Sequence, residues 1–261
     1  MYKIINSPQN QIIKKIIKLK KSRNRKKEKH ILIEGLREII IALKADIKIE
    51  TLFFSSDIST INSKLTRNIK SEKIIQIDNK IFPKISNREN PDGYLALAAY
   101  AENDLKKYKP KNNPLILILE KLEKPGNFGA IFRTADAFGV DAIFICEAQT
   151  DLYNPNIIRA SLGTVFTNKI FICSSNEAIL WLQKNKIKIL ATTPHTDNNF
   201  YNIDYTRSAA IAIGSEDKGL TDVWLNKCDK KILIPMKGKI NSLNASASAA
   251  IILTEANRQR I

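Results

Sequence analysis

Apolar residues in this chain alternate between short continuous runs and stretches in which they recur three and four residues apart. In the first part, HILIE, ETLFFS, KIIQI and GYLALAAY read as strands, separated by helical patterns in LREIIIALK and SDISTINSKL. Ahead of them, Ser7 and Pro8 read as an N-cap and first helical residue, followed by a helix with Ile12, Ile13, Ile16 and Ile17 on one face and lysines on the other. KSRNRKKEKH reads as a mobile basic connector. These elements predict a small α/β domain over residues 1–104. AENDLKKYKPKNN is polar and charged, and predicts a linker over 105–113.

The same alternation resumes over 114–261. LILIL, DAIFIC, VFTNKIF, IKILATT, AAIAIG and KKILIP are continuous apolar runs of the kind buried on both faces of a sheet. The helical segments between them predict a mostly parallel sheet with helices on both faces.

Composition adds four points. A hydrophobic content of 44% is that of a globular protein. No apolar run approaches the ~20 residues of a membrane span, and the start lacks a signal-peptide pattern, so a cytoplasmic protein without a membrane partner is expected. Cys146, Cys173 and Cys228 are odd in number and far apart, which predicts reduced thiols, and with only His30 and His195 available no metal site is expected. The net charge is +16, and ten of those charges fall within residues 1–30. A cluster so concentrated, with Arg23, Arg25, Lys26 and Lys27 at its densest point, fits a polyphosphate partner.

Three segments carry candidate chemistry. EKPGNFGAIFRTADAFG, Glu123 to Gly139, begins where a strand ends, and leaves Asn127 and Arg133 as polar residues on a helix whose other positions are apolar. Its glycine spacing is GxxG rather than the GxGxxG of a dinucleotide-binding turn. AIGSEDKGL, Ala212 to Leu220, places Gly214, Ser215 and Glu216 at the C-terminal edge of a strand, where open α/β sheets bind ligands. IPMKGKINSLNASASAAIILTEANRQR, Ile234 to Arg260, sets Asn241, Ser242, Asn244 and Ser246 before a helix, where unpaired backbone N–H groups favour electron-rich ligand atoms. His195 stands in a polar loop with no acid fixed beside it by sequence, and reads as incidental.

Together the three segments resemble the three motifs of the SpoU (TrmH-type) ribose 2′-O-methyltransferases of the SPOUT superfamily. One departure is Ala245 in place of a usual Val, a small apolar exchange. The resemblance implies a C-terminal SPOUT domain with a deep trefoil knot, preceded by a small α/β (L30e-like) RNA-binding domain. It implies S-adenosyl-L-methionine as cofactor, held by Thr193, Gly214, Ile234, Met236 and Leu243. Asn127, Arg133, Glu216, Ser242 and Asn244 would form the catalytic set. Arg133 would hold the target phosphate and stabilise the alkoxide, since a guanidinium has no free acceptor at neutral pH. Arg159 in RASLG would contact RNA from a partner subunit, joining Arg23, Arg25, Lys26 and Lys27, and the expected assembly is a homodimer. Ribosomal RNA is favoured over tRNA as substrate. The rival readings are a tRNA enzyme, a base methyltransferase, and an inactive RNA-binding or ribosome-assembly protein.

Overall fold

The computed structural model describes residues 2–58, 60–239 and 242–261. They form two compact units, one comprising residues up to Ala101 together with Asp151–Thr167, the other Glu102–Thr150 with Asn168–Ile261.

The first unit contains β1 (Lys3–Ile5), α1 (Gln11–Leu19), α2 (Ser22–Glu28), β2 (His30–Glu34), α3 (Leu36–Lys44), β3 (Ile49–Phe54), α4 (Ser63–Thr66), β4 (Ile74–Ile77), α5 (Phe82–Ile85) and β5 (Tyr94–Ala99). Its sheet runs β1-β4-β3-β5-β2, with β5 antiparallel to both neighbours and the remaining pairs parallel. Helix α1 starts later than the sequence suggests: Asn10 is the N-cap and accepts from the Ile12 N–H at 2.9 Å, while Ser7 accepts from Gln9 in the preceding turn. Ile13, Ile16 and Leu19 then pack with Phe53, Ile75 and Phe82, and Ile17 stays exposed. Of SDISTINSKL only α4 is helical, and Ser59 within it lies outside the described residues.

The basic connector is a helix, α2, and this corrects the reading of Arg25. Its side chain is buried: Nη1 donates to the carbonyls of Leu19 and Lys20, each at 2.8 Å, and Nε and Nη2 donate to Asp151 Oδ2. Four of its five N–H donors are engaged by protein groups and the residue is 2% exposed, so it is not presented to a phosphate at the surface. Arg23, Lys26 and Lys27 on the same helix are exposed. The segment bearing Asp151 continues into α7 (Pro155–Ala160), capped by Asn154, and Arg159 on it is exposed. Gly163 sits at φ +90°, where an added Cβ would stand 3.2 Å from both Glu38 Cα and Ile41 Cβ of α3. That close approach accounts for the glycine that ends RASLG.

The second unit holds β6 (Leu115–Glu120), α6 (Pro125–Ala137), β7 (Ala142–Cys146), β8 (Ile170–Cys173), α8 (Ser175–Lys184), β9 (Lys188–Thr192), β10 (Ala209–Ile213), α9 (Asp222–Lys227), β11 (Lys230–Ile232) and α10 (Ala245–Arg260). All six strands are parallel, in the order β11-β9-β10-β6-β7-β8. VFTNKIF contributes only its last two residues to β8. The polar stretch 105–113 packs on this unit rather than hanging free. Leu105 and Tyr108 lie against its core, with the Tyr108 ring stacked on Trp181 at 5.5 Å. All three cysteines are free thiols. The neighbouring Cys173 thiol, 3.9 Å away, and then burial push the Cys146 thiol up. Among the described residues no helix is long and apolar enough to cross a membrane, and no cluster of His, Cys, Asp and Glu could hold a metal.

Candidate active site

Parallel strands deliver their C-terminal ends to one edge of the sheet, and the loops leaving β9, β10 and β11 there enclose a cleft of about 370 Å³ with the start of α10. Thr193 follows β9, and its N–H donates to the Ile232 carbonyl of β11 at 2.9 Å, drawing the two loops together. Gly214 follows β10. A Cβ there would lie 2.0 Å from Gly219 C and 2.2 Å from Leu220 N, so only glycine lets the loop fold back on its own start. The loop closes through a Ser215–Gly219 bridge, with the Gly219 N–H donating to the Ser215 carbonyl at 2.9 Å. Ile234 and Met236 after β11, and Leu243 before α10, complete the apolar wall. All five residues expected to hold the cofactor therefore line one cleft.

Glu216 and Ser242 also line it. Asn127 and Asn244 meet Glu216 beside the cleft, although they come from elements far apart in the chain. Asn127 occupies the first turn of α6 and is buried, and its Nδ2 donates to Glu216 Oε1. Asn244 is the N-cap of α10: its Oδ1 accepts from the Ser246 N–H at 2.9 Å and hydroxyl at 2.6 Å. Its Nδ2 donates to Asn127 Oδ1 at 3.1 Å and to Glu216 Oε1 at 3.3 Å. One carboxylate oxygen thus collects two amide donors, and each of the three motifs supplies one member of the cluster. Asn241 lies outside the described residues.

Arg133 is not brought into this cluster. It follows Asn127 on α6 by less than two turns, which places it about 9 Å along the helix and about 120° around it. Its side chain is exposed and has no hydrogen-bond or ion-pair partner among the described residues. His195, discounted on sequence grounds, lines the rim of the cleft with its ring exposed. No pattern in the chain signals that position, because the turn after β9 carries it there.

The cleft's chemistry fits S-adenosylmethionine. It offers an apolar wall, a glycine turn that permits close backbone approach, and the Glu216 carboxylate on its lining. The sequence model described as the SpoU rRNA Methylase family matches residues 114–254, and that of the MRM3-like substrate binding domain matches residues 10–96. The chain is 29% identical over 238 residues to the 23S rRNA (uridine(2479)-2′-O)-methyltransferase of Streptomyces viridochromogenes, covering 88% of this chain and 83% of that protein. A crystal structure of an RNA 2′-O ribose methyltransferase is 36% identical with a TM-score of 0.85, covering 100% of this chain and 99% of the other. The AdoMet-bound rRNA methyltransferase from Sinorhizobium meliloti gives a TM-score of 0.90 at 26% identity, with 100% and 99% covered.

Proposed function

Because the chain belongs to the SpoU rRNA methylase family, we propose that the cleft and its polar cluster serve the 2′-O-methylation of ribosomal RNA. The protein is an S-adenosylmethionine-dependent RNA ribose 2′-O-methyltransferase. Preference for ribosomal RNA over tRNA is the finer reading, supported by the relatives whose names specify rRNA. The observation that carries the site is the Asn127–Glu216–Asn244 cluster at the cleft, which ties the three motifs into one constellation.

Bound in the cleft, S-adenosylmethionine supplies an electrophilic methyl on a cationic sulfur. The loop residues Gly214 and Leu243, with Thr193, would hold it through backbone groups and short polar contacts, and the Ile234 and Met236 wall would exclude water. Glu216, fixed by two amides, presents its remaining oxygen toward positive charge. Ser242 and the first turn of α10 stand where a ribose hydroxyl would enter, and their donors favour the developing alkoxide. Arg133 holds the target phosphate and stabilises that alkoxide electrostatically. Its distance from the cluster within one chain supports a site completed in a homodimer, with Arg133 or Arg159 reaching a neighbouring cleft. Arg23, Lys26 and Lys27 supply sequence-independent phosphate contacts. The threaded, trefoil-knotted path and a cytoplasmic location belong to the same reading.

The test is transfer of labelled methyl from S-adenosylmethionine to ribosomal and transfer RNA pools lacking modifications, with Arg133→Ala alongside. Label is expected in the ribosomal pool, recovered as a 2′-O-methylnucleoside. Arg133→Ala should abolish transfer with cofactor affinity nearly unchanged. Label confined to tRNA, or found on a base, would sink the substrate assignment.

A further inference from the structure

Glu120 closes β6 with its side chain 1% exposed, and no cation pairs with it among the described residues. A buried carboxylate persists only where hydrogen bonds replace its hydration. Here three donors do so. Oε2 accepts from the Thr221 N–H at 2.8 Å, and Oε1 accepts from the Thr221 hydroxyl at 2.6 Å and the Ser175 hydroxyl at 3.1 Å. Ser175 accepts in turn from Trp224 Nε1 at 3.2 Å.

Two of the three bonds come from Thr221, the residue that follows the Gly214–Leu220 loop of the cleft. Thr221 is also the N-cap of α9, a position where a threonine hydroxyl ordinarily accepts from its own helix. It makes no such cap. Its hydroxyl points to Glu120 instead, so the helix gives up a cap in favour of a tie to the central strand. The loop is closed internally by the Ser215–Gly219 bridge, and its end is pressed against its start at Gly214. It therefore behaves as a stiff knob whose aim depends on where Thr221 is held.

We propose that Glu120 is a positioning residue for methyl transfer, holding the cofactor loop at its exit through Thr221. This rests on the cofactor reading given above. Releasing Thr221 lets Leu220 and Gly219 move away from Gly214. The competent loop becomes a smaller fraction of the population, and apparent cofactor affinity falls by that fraction.

Calorimetric titration of S-adenosylmethionine into the wild-type protein, Thr221→Val, Thr221→Ser and Ser175→Ala tests this. Thr221→Val keeps the N–H and loses the hydroxyl, and should weaken cofactor binding about tenfold. The Michaelis constant for S-adenosylmethionine should rise accordingly, with that for RNA unchanged. Thr221→Ser keeps both donors and should bind within about twofold of wild type. Ser175→Ala removes the one bond that comes from outside the loop, and should lower the unfolding temperature while leaving cofactor affinity within about twofold. Unchanged affinity in Thr221→Val, or an equal loss in Ser175→Ala, would make Glu120 a hub of core packing and overturn the proposal. If Thr221→Val does not fold, Thr221→Ala, which also keeps the N–H and loses the hydroxyl, gives the same comparison. Absence of cofactor binding by the wild-type protein would overturn the cofactor assignment itself, and the anchor with it.

Discussion

Asn127, Glu216 and Asn244 divide their bonding capacity without duplication: one asparagine oxygen accepts from the other's nitrogen, both nitrogens serve one carboxylate oxygen, and the second asparagine oxygen caps a helix. An aspartate at either asparagine position would set two carboxylates against each other, which explains why amides stand there. These residues are legible in the sequence through the resemblance of the three segments to the family's motifs, with a polar side chain at a helix start, Asn127 and Asn244, or after a strand, Glu216, as the local signal. Arg25 shows the opposite case. In sequence it is one cation among eleven within residues 1–30, and nothing local ties it to an aspartate 126 positions later. Replacing it with alanine would leave Asp151 buried without its partner, so Arg25→Ala should destabilise the protein by about 3–5 kcal/mol in chemical denaturation. The salt dependence of RNA binding by the folded fraction should not change. A stable variant with a flatter slope would return Arg25 to the RNA surface.

Elements that bury both faces announced themselves. β6, β7 and β10 are fully buried, and their uninterrupted apolar runs leave no competing period. β1 went unseen because it is three residues long with only Ile5 buried, and α2 because its buried residue is an arginine. Stretch 105–113 reads as a linker on its polarity, though Leu105 and Tyr108 suffice to dock it. In the segment that carries α7, Gly163 has both a left-handed φ and a tight seat against α3. Gly163→Ala should therefore cost about 2 kcal/mol, measurable as a lower denaturation midpoint. An unchanged midpoint would mean that α3 yields at that contact.

At the scale of the molecule, charge and chemistry are separated along the chain. The basic cluster lies in the first unit, and the cleft is built wholly from the second. Neutralising Arg23, Lys26 and Lys27 together should reduce the slope of log affinity against log salt by about 2 and leave S-adenosylmethionine binding intact. An unchanged slope would make the cluster a solvated face. The return of Asp151–Thr167 to the first unit is not legible in the sequence, since it depends on Arg25 and α3 rather than on any signal within the segment. That return bears on how the protein is made. With 126 residues between Arg25 and Asp151, a ribosome adding about 5–20 residues per second exposes the arginine for roughly 6–25 s before its counter-ion emerges. The first part synthesised is thus the later to be finished, and a nascent chain stalled before Asp151 would offer chaperones an unpaired guanidinium in an unfinished core.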